Sequence, residues 1–106
     1  MSDAGINQEI DLYTWATPNG RKVSIMLEEL ALPYRVIPVN ITRGQQHTPE
    51  FLAISPNNKI PVIIDRDEGT HLMESGAILI YLASKSGRLM SLGGSLRWQQ
   101  LEWLMF

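Results

Sequence analysis

The sequence predicts an α/β fold, in which a compact mixed domain is followed by the opening of an all-helical one. Three observations carry that reading. Hydrophobic periodicity alternates along the chain between two and about 3.6 residues, giving the order β-α-β-α-β-β-α and then the start of a further helix. Two Thr-Pro pairs, Thr17-Pro18 and Thr48-Pro49, each stand just before an apolar-periodic stretch, the signature of a helix start. The chain has 106 residues, 44% hydrophobic and 19% charged, which suits a single core. The division expected from these patterns is a flexible tail over residues 1–8, an α/β domain over 9–87, a linker over 88–94 and a helix over 95–106.

The first strand is read from Glu9 to Trp15, where Ile10 and Leu12 alternate with Asp11 and Tyr13. A helix follows. Thr17 is its N-cap, and Pro18 its first residue, where a missing N–H costs nothing. Val23, Met26, Leu27 and Leu30 fall on one face at i, i+3, i+4 and i+7. Gly20 and Ser24 weaken its first turns, and Pro33 is expected to stop it. Tyr34 to Val39 is a second strand, rich in β-branched and aromatic residues, and Thr42 to Gln46 a polar loop through Gly44. Thr48 opens a short helix through Phe51, Leu52 and Ile54, which ends in the Ser55-Pro56-Asn57-Asn58 turn. Ile60 to Ile64 is an apolar run, and Pro61 within it argues for a strand start. Asp67-Glu68-Gly69 suits a hairpin turn, with His71 to Glu74 returning. Ser75 is expected to cap a helix that is apolar almost all round, from Ala77 to Ala83, and Gly87 to end it. The first half of this order can form a right-handed parallel βαβ unit and the second an antiparallel hairpin with its helix.

Composition narrows the chemistry. With no cysteine, the chain offers no disulfide framework, thiolate metal site or cysteine nucleophile. Two histidines, His47 and His71, are too few for a multi-histidine metal site, so no metal is expected. A net charge of −2 offers no basic field for nucleic acid or an anionic membrane. The first residues lack the basic and apolar regions of a signal peptide, and no apolar run is long enough to span a bilayer. A cytoplasmic location is the expectation.

Three stretches, IDLYTWATPNGRKVSIMLEEL, PEFLAISPNNKIPVIID and LMESGAILIYLASKSG, taken in that order, resemble the amino-terminal domain of glutathione transferases, whose fold is thioredoxin-like. The Thr-Pro-Asn-Gly turn together with Ser-Pro-Asn-Asn-Lys-Ile-Pro is most similar to the nu class. That class is itself similar to a yeast-type nitrogen regulator with a glutathione-transferase-like domain. The resemblance covers about residues 9–106.

The resemblance implies roles for named residues. Thr17 and Asn19, at a helix N-terminus, would hold the sulfur of glutathione, since free N–H groups and the helix dipole stabilise a thiolate. Lowering a thiol pKa from ~8.5 to ~6.5 raises the thiolate fraction at neutral pH from about 3% to about three-quarters. A threonine hydroxyl is too weak an acid to act unaided, so its role is to donate and position. The Ile60-Pro61 bond would be cis, with the Ile60 backbone pairing with the cysteinyl backbone like an added strand. Lys59 would be an anion contact or an exposed charge. Glu74 and Ser75 would bind the amino and carboxylate groups of the γ-glutamyl end, with Gly76 allowing close approach and tight packing. Gln46 matches the position that meets the glycyl end, although the loop Arg43-Gly44-Gln45-Gln46-His47 leaves open whether Gln45 or Gln46 points inward. His47 and His71 read as solvated loop residues and Tyr13 as packing. Trp15 is either a wall of the site or packing. Trp98, Leu101, Trp103 and Leu104 read as the buried side of the first helix of the second domain.

The activity implied is glutathione-dependent: disulfide-bond reduction, peroxidase action or transfer to an electrophile. Glutathione is the cosubstrate, an electrophile or disulfide the partner, and a homodimer the expected full-length form. The alternative is a non-catalytic glutathione-binding or regulatory interaction module.

Overall fold

The computed structural model describes residues 9–91 and 93–106, so the tail expected over residues 1–8 lies outside the described residues, as does Leu92 of the linker. Four strands, β1 (Ile10–Thr14), β2 (Tyr34–Pro38), β3 (Val62–Asp65) and β4 (Thr70–Met73), form one sheet in the order β2-β1-β3-β4. β1 and β2 are parallel; β1 with β3, and β3 with β4, are antiparallel. The helices are α1 (Pro18–Glu29), α2 (Pro49–Ile54), α3 (Ser75–Ser86) and α4 (Gly94–Met105). This is the thioredoxin-like βαβ-α-ββα order, followed by a further helix.

Strand alternation builds two cores. Ile10, Leu12 and Ile63 point to one face of the sheet, where Val23, Leu27 and Leu30 of α1 meet Ile78 and Leu82 of α3. Val62 points to the other face and joins Val39 and Phe51, with Tyr13 packed beside them. Tyr13 and Phe51 stack at a tilt, their ring centroids 6.4 Å apart, so Tyr13 is a packing residue.

Several boundaries differ from the sequence reading. α1 ends at Glu29, well before Pro33. Ala31 adopts a left-handed φ of 54°, and Leu32 N–H donates to the Leu27 carbonyl at 3.1 Å, closing the helix from within. The loop expected over residues 42–46 is two 3-10 turns, Ile41–Arg43 and Gln45–His47, hinged on Gly44 at φ 73°. The cap position of α3 is Glu74, and Ser75 is the first helical residue. Gly76 is not tightly packed, because a Cβ there would meet nothing within 4 Å. In α4 no residue is fully buried: Trp98 is 65% and Trp103 74% exposed, whereas Leu101 and Leu104 are half-buried. The two tryptophans therefore do not lie on a buried side in this chain.

Buried charge sits at the end of the sheet where β1 begins and β3 finishes. Asp65 is 0% exposed. Its carboxylate accepts from Tyr81 Oη at 2.6 Å, from Lys85 Nζ at 2.9 Å and from the Asp67 N–H at 3.1 Å. Burial pushes this carboxyl up, but Tyr81 and Lys85 outweigh it and hold it below its ordinary value. The Asp65 partnership holds Lys85 above the ordinary range of an ammonium. Beside it, Asp11 accepts two bonds from Arg35 and lies 3.6 Å from Arg66.

These shifts fix the sign of a pH dependence. Asp65, held low, contributes stability above about pH 4 that is lost as acid protonates it, and Lys85, held high, contributes stability below about pH 10. Lys85→Met should cost about 3–5 kcal/mol at pH 7, because it strands a buried carboxylate. The deficit should narrow on acidification as Asp65 in the variant becomes neutral. Urea unfolding at pH 7 and pH 3 checks this, and an equal penalty at both would show that the two groups are not coupled.

Candidate functional site

The first turn of α1 starts immediately beyond β1. Thr17 N–H donates to the Trp15 carbonyl at 2.7 Å, and Thr17 Oγ1 accepts from Gly20 N–H at 3.0 Å, as an N-cap should. Gly20 makes the close approach possible. A Cβ there would lie 2.5 Å from the Trp15 carbonyl oxygen, 3.2 Å from Thr17 Oγ1 and well inside contact of Thr14 Oγ1. Pro18 has no N–H, Gly20 N–H is capped and Arg21 N–H is bonded to the Thr17 carbonyl, so the helix N-terminus set at the rim of the sheet offers the Asn19 N–H and its partial positive charge.

Two further segments converge on it. Ser55 is fully buried; its Oγ donates to the Lys59 carbonyl at 2.9 Å and accepts from Lys59 N–H at 3.3 Å, folding the turn that delivers Lys59, Ile60 and Pro61. The Ile60-Pro61 bond is cis. Ile60 N–H and C=O have no partner among the described residues. The third segment is the start of α3, where Glu74 holds φ 75°, a conformation that L side chains rarely adopt and one that costs of order 1–3 kcal/mol.

Between these segments runs a groove in two joined parts that share Asn19, Lys59 and Ile60. One part, of about 350 Å³, is lined also by Thr17, Gln46, His47 and Asn58. The other, of about 160 Å³, is lined also by Ser55, Pro61, Glu74 and Ser75. Every residue singled out for ligand contact in the sequence thus lines one groove. Gln46 faces it, while Gln45 turns away and accepts from Asn40 N–H at 2.7 Å through its side-chain oxygen. Gln46 Oε1 is buried and has no partner among the described residues. Trp15 and Tyr13 line neither part, and His71 is exposed on β4. A larger cavity, about 510 Å³, lies elsewhere, between α3 and α4, and is walled mostly by apolar side chains such as Leu79, Leu96 and Trp103, with Gln99 and Gln100 beside them and no ionisable group.

The groove is a row of unmatched polar groups. Thr17 uses one oxygen lone pair on Gly20 N–H and keeps its O–H to donate. Asn19 Oδ1 accepts from Lys22 Nζ at 3.0 Å, leaving its NH2. A carboxylate (Glu74), a hydroxyl (Ser75), a main-chain pair (Ile60) and a carboxamide oxygen (Gln46), none of them partnered among the described residues, complete the row. Such a surface fits a short zwitterionic peptide bearing an anionic centre near Thr17. Among the described residues no cluster of histidine and carboxylate groups could hold a metal ion. Gly20, Ser55, Asn57 and Met73 were not marked by the sequence reading. Their roles come from contacts between segments, and periodicity carries no signal of these.

Comparison with known proteins gives a consistent result. The family model described as the N-terminal domain of glutathione S-transferase matches residues 12–89. The chain is 50% identical over 102 residues to the disulfide-bond oxidoreductase YfcG of Escherichia coli strain K12, covering 92% of this chain and 47% of that protein. It is 45% identical over 84 residues to protein URE2 of Debaryomyces hansenii, covering 74% of this chain and 27% of that one. A glutathione transferase family member from Pseudomonas fluorescens, solved with two glutathiones bound, superposes with a TM-score of 0.89 at 52% identity, over 94% of this chain and 46% of that one. A glutathione transferase from Pseudomonas putida, solved with one glutathione disulfide per subunit, superposes with a TM-score of 0.87 at 50% identity, over 93% and 45% of the two chains. The chain spans about half the length of these bacterial relatives.

The geometry makes two structural residues testable. Gly20→Ala gains about 1 kcal/mol of helix propensity but overpacks the turn against main chain. A net loss of about 1–2 kcal/mol is expected in urea unfolding, and a stabilised variant would refute the steric argument. Ser55→Ala should cost about 1–3 kcal/mol by unpairing the Lys59 main chain, and should broaden the amide resonances of residues 57–61.

Proposed function

The chain belongs to the glutathione S-transferase family, and from that premise we propose that it binds glutathione along this groove and serves glutathione-dependent disulfide reduction. One observation carries the reading. At the N-terminus of α1 two side chains, Thr17 and Asn19, each already accept a hydrogen bond from within the protein, which leaves the Thr17 O–H and the Asn19 NH2 to donate outward. Donors at the positive end of a helix dipole favour a thiolate over a thiol.

The rest of the groove supplies the remaining contacts. Glu74 takes the α-amino group of the γ-glutamyl end. Ser75 and the first N–H groups of α3 take its carboxylate. The Ile60 main chain pairs with the cysteinyl backbone as an added strand. Gln46 and Lys59 face the glycyl end, which carries the second carboxylate.

The thiol supplies the chemistry: two glutathiones are oxidised to one glutathione disulfide, and the substrate disulfide receives the two electrons and two protons as two thiols. Thr17 and Asn19 hold the attacking sulfur as its thiolate and orient it. These 106 residues hold no cysteine, so none of them forms a mixed disulfide with the substrate. Two bound glutathiones and one bound glutathione disulfide, as held by the Pseudomonas proteins, are the reactants and product of such a step. The same thiolate suits peroxide reduction or attack on an electrophile. We place the working protein in the reducing cytoplasm, as a homodimer.

A second reading is a non-catalytic module, in which the groove binds glutathione and turns nothing over. Titration with glutathione and turnover of a small mixed disulfide, coupled to glutathione reductase, separate the two. Thr17→Ala and Asn19→Ala should each lower kcat about 10–100-fold and leave binding within a few-fold. Glu74→Gln should weaken binding about tenfold, by loss of a charge-assisted bond. Binding without turnover would leave only the second reading. No response to millimolar glutathione would overturn both.

A further inference from the structure

We propose that Lys22 is a positioning residue for the reactive sulfur, acting through Asn19; the inference rests on the reading of the groove given above. Lys22 lies one turn into α1 on the face it shares with Asn19, and its Nζ donates to Asn19 Oδ1 at 3.0 Å. Lys22 itself lines neither part of the groove, whereas Asn19 lines both.

A carboxamide is two-ended, with an oxygen that accepts and an NH2 that donates. Asn19 is exposed and without a partner would rotate freely, offering either end to the ligand. An ammonium has three donors and no acceptor, so the end of Asn19 that it grips must be the oxygen. The NH2 is thereby left as the only end available to a sulfur near Thr17. Lone pairs of an inverted Asn19 would repel a thiolate; the NH2 of the held one stabilises it. The ammonium also polarises the amide it holds, which strengthens the outward N–H bond. The charged and titratable groups on the groove wall, His47, Lys59 and Glu74, lie on other segments and are untouched by substitutions at Lys22.

The test is the pH titration of the bound glutathione thiol, read by thiolate ultraviolet absorbance in the wild type and in Lys22→Met, Lys22→Gln and Lys22→Arg. Lys22→Met removes both donor and charge and should raise the apparent pKa of the bound thiol by about one unit, equivalent to tenfold less thiolate below that pKa. Lys22→Arg keeps both and should restore the wild-type value. Lys22→Gln keeps a neutral donor and should fall between. In an Asn19→Ala background, Lys22→Met should add nothing, because the amide it orients is gone. A shift of the same size with and without Asn19 would mean that Lys22 acts as a distant charge and would overturn the proposal, as would no shift at all. Should Asn19→Ala itself leave the thiol pKa unmoved, the reading of the groove fails. Should Asn19→Ala move it and Lys22→Met not, only the role of Lys22 fails.

Discussion

The distance between the first turn of α1 and the end of β1 governs the site. With no side chain at Gly20, the helix start seats against the Trp15 carbonyl and Thr14, and Thr17 turns the chain so sharply that its own N–H reaches back to Trp15. The start of the helix is therefore at the sheet's rim, level with the turn that delivers Ile60 and with the opening of α3. A helix lifted by the thickness of one methyl group would raise Thr17 and Asn19 away from Lys59 and Ile60, with which they form the groove. The two parts of the groove share Asn19, so both would be deformed together.

Polar groups are distributed unequally over the sheet. Around Asp11 and Asp65 the buried carboxylates are matched by Arg35, Arg66, Tyr81 and Lys85. Along the groove, the Ile60 main chain, Gln46 Oε1 and the Glu74 carboxylate have no partner among the described residues, and Glu74 holds a strained φ. Unpaired polar groups and strain lower stability, and a fold keeps them where the surrounding structure over-determines them. Here that structure is two apolar cores and a matched set of buried charges. The contrast distinguishes the groove as the candidate site more firmly than its size does, since the larger cavity between α3 and α4 has no such row of groups.

Much of this was legible in the sequence because the signals are local. Thr17-Pro18 and Thr48-Pro49 start helices where their caps and fixed φ require it, and Pro61 stands just before β3. What the sequence hid depends on contacts between segments or on one residue's backbone. α1 ends at Glu29 because Ala31, two residues on, takes a left-handed conformation that no propensity favours, whereas the sequence points to Pro33 as the terminator. Glu74 takes the cap position in a conformation foreign to it, so Ser75 was placed one residue out. Gly20 reads as a weak helix former until the Trp15 carbonyl is seen beside it. The amphipathic pattern of α4 is real, yet a pattern cannot say what its apolar side packs against, and Trp98 and Trp103 remain exposed. Gln45 and Gln46 are chemically alike, and it is the bond from Asn40 N–H to Gln45 that turns Gln46 inward.

These 106 residues hold no cysteine, so on the proposed function the sulfur comes from solution, where an ordinary thiol with pKa ~8.5 is mostly protonated at neutral pH. Threonine and asparagine are each able to donate and to accept, so by themselves they would bind thiol and thiolate alike. Local bonds remove that ambiguity. Gly20 N–H occupies the oxygen of Thr17, and Lys22 occupies the oxygen of Asn19. The Thr17 O–H and the Asn19 NH2 are left to donate at a helix N-terminus, an arrangement that suits the lone pairs of a sulfur anion better than an S–H. On the proposed function a preference for thiolate would arise from bonds made inside the first turn of α1, through side chains that are not themselves ionisable.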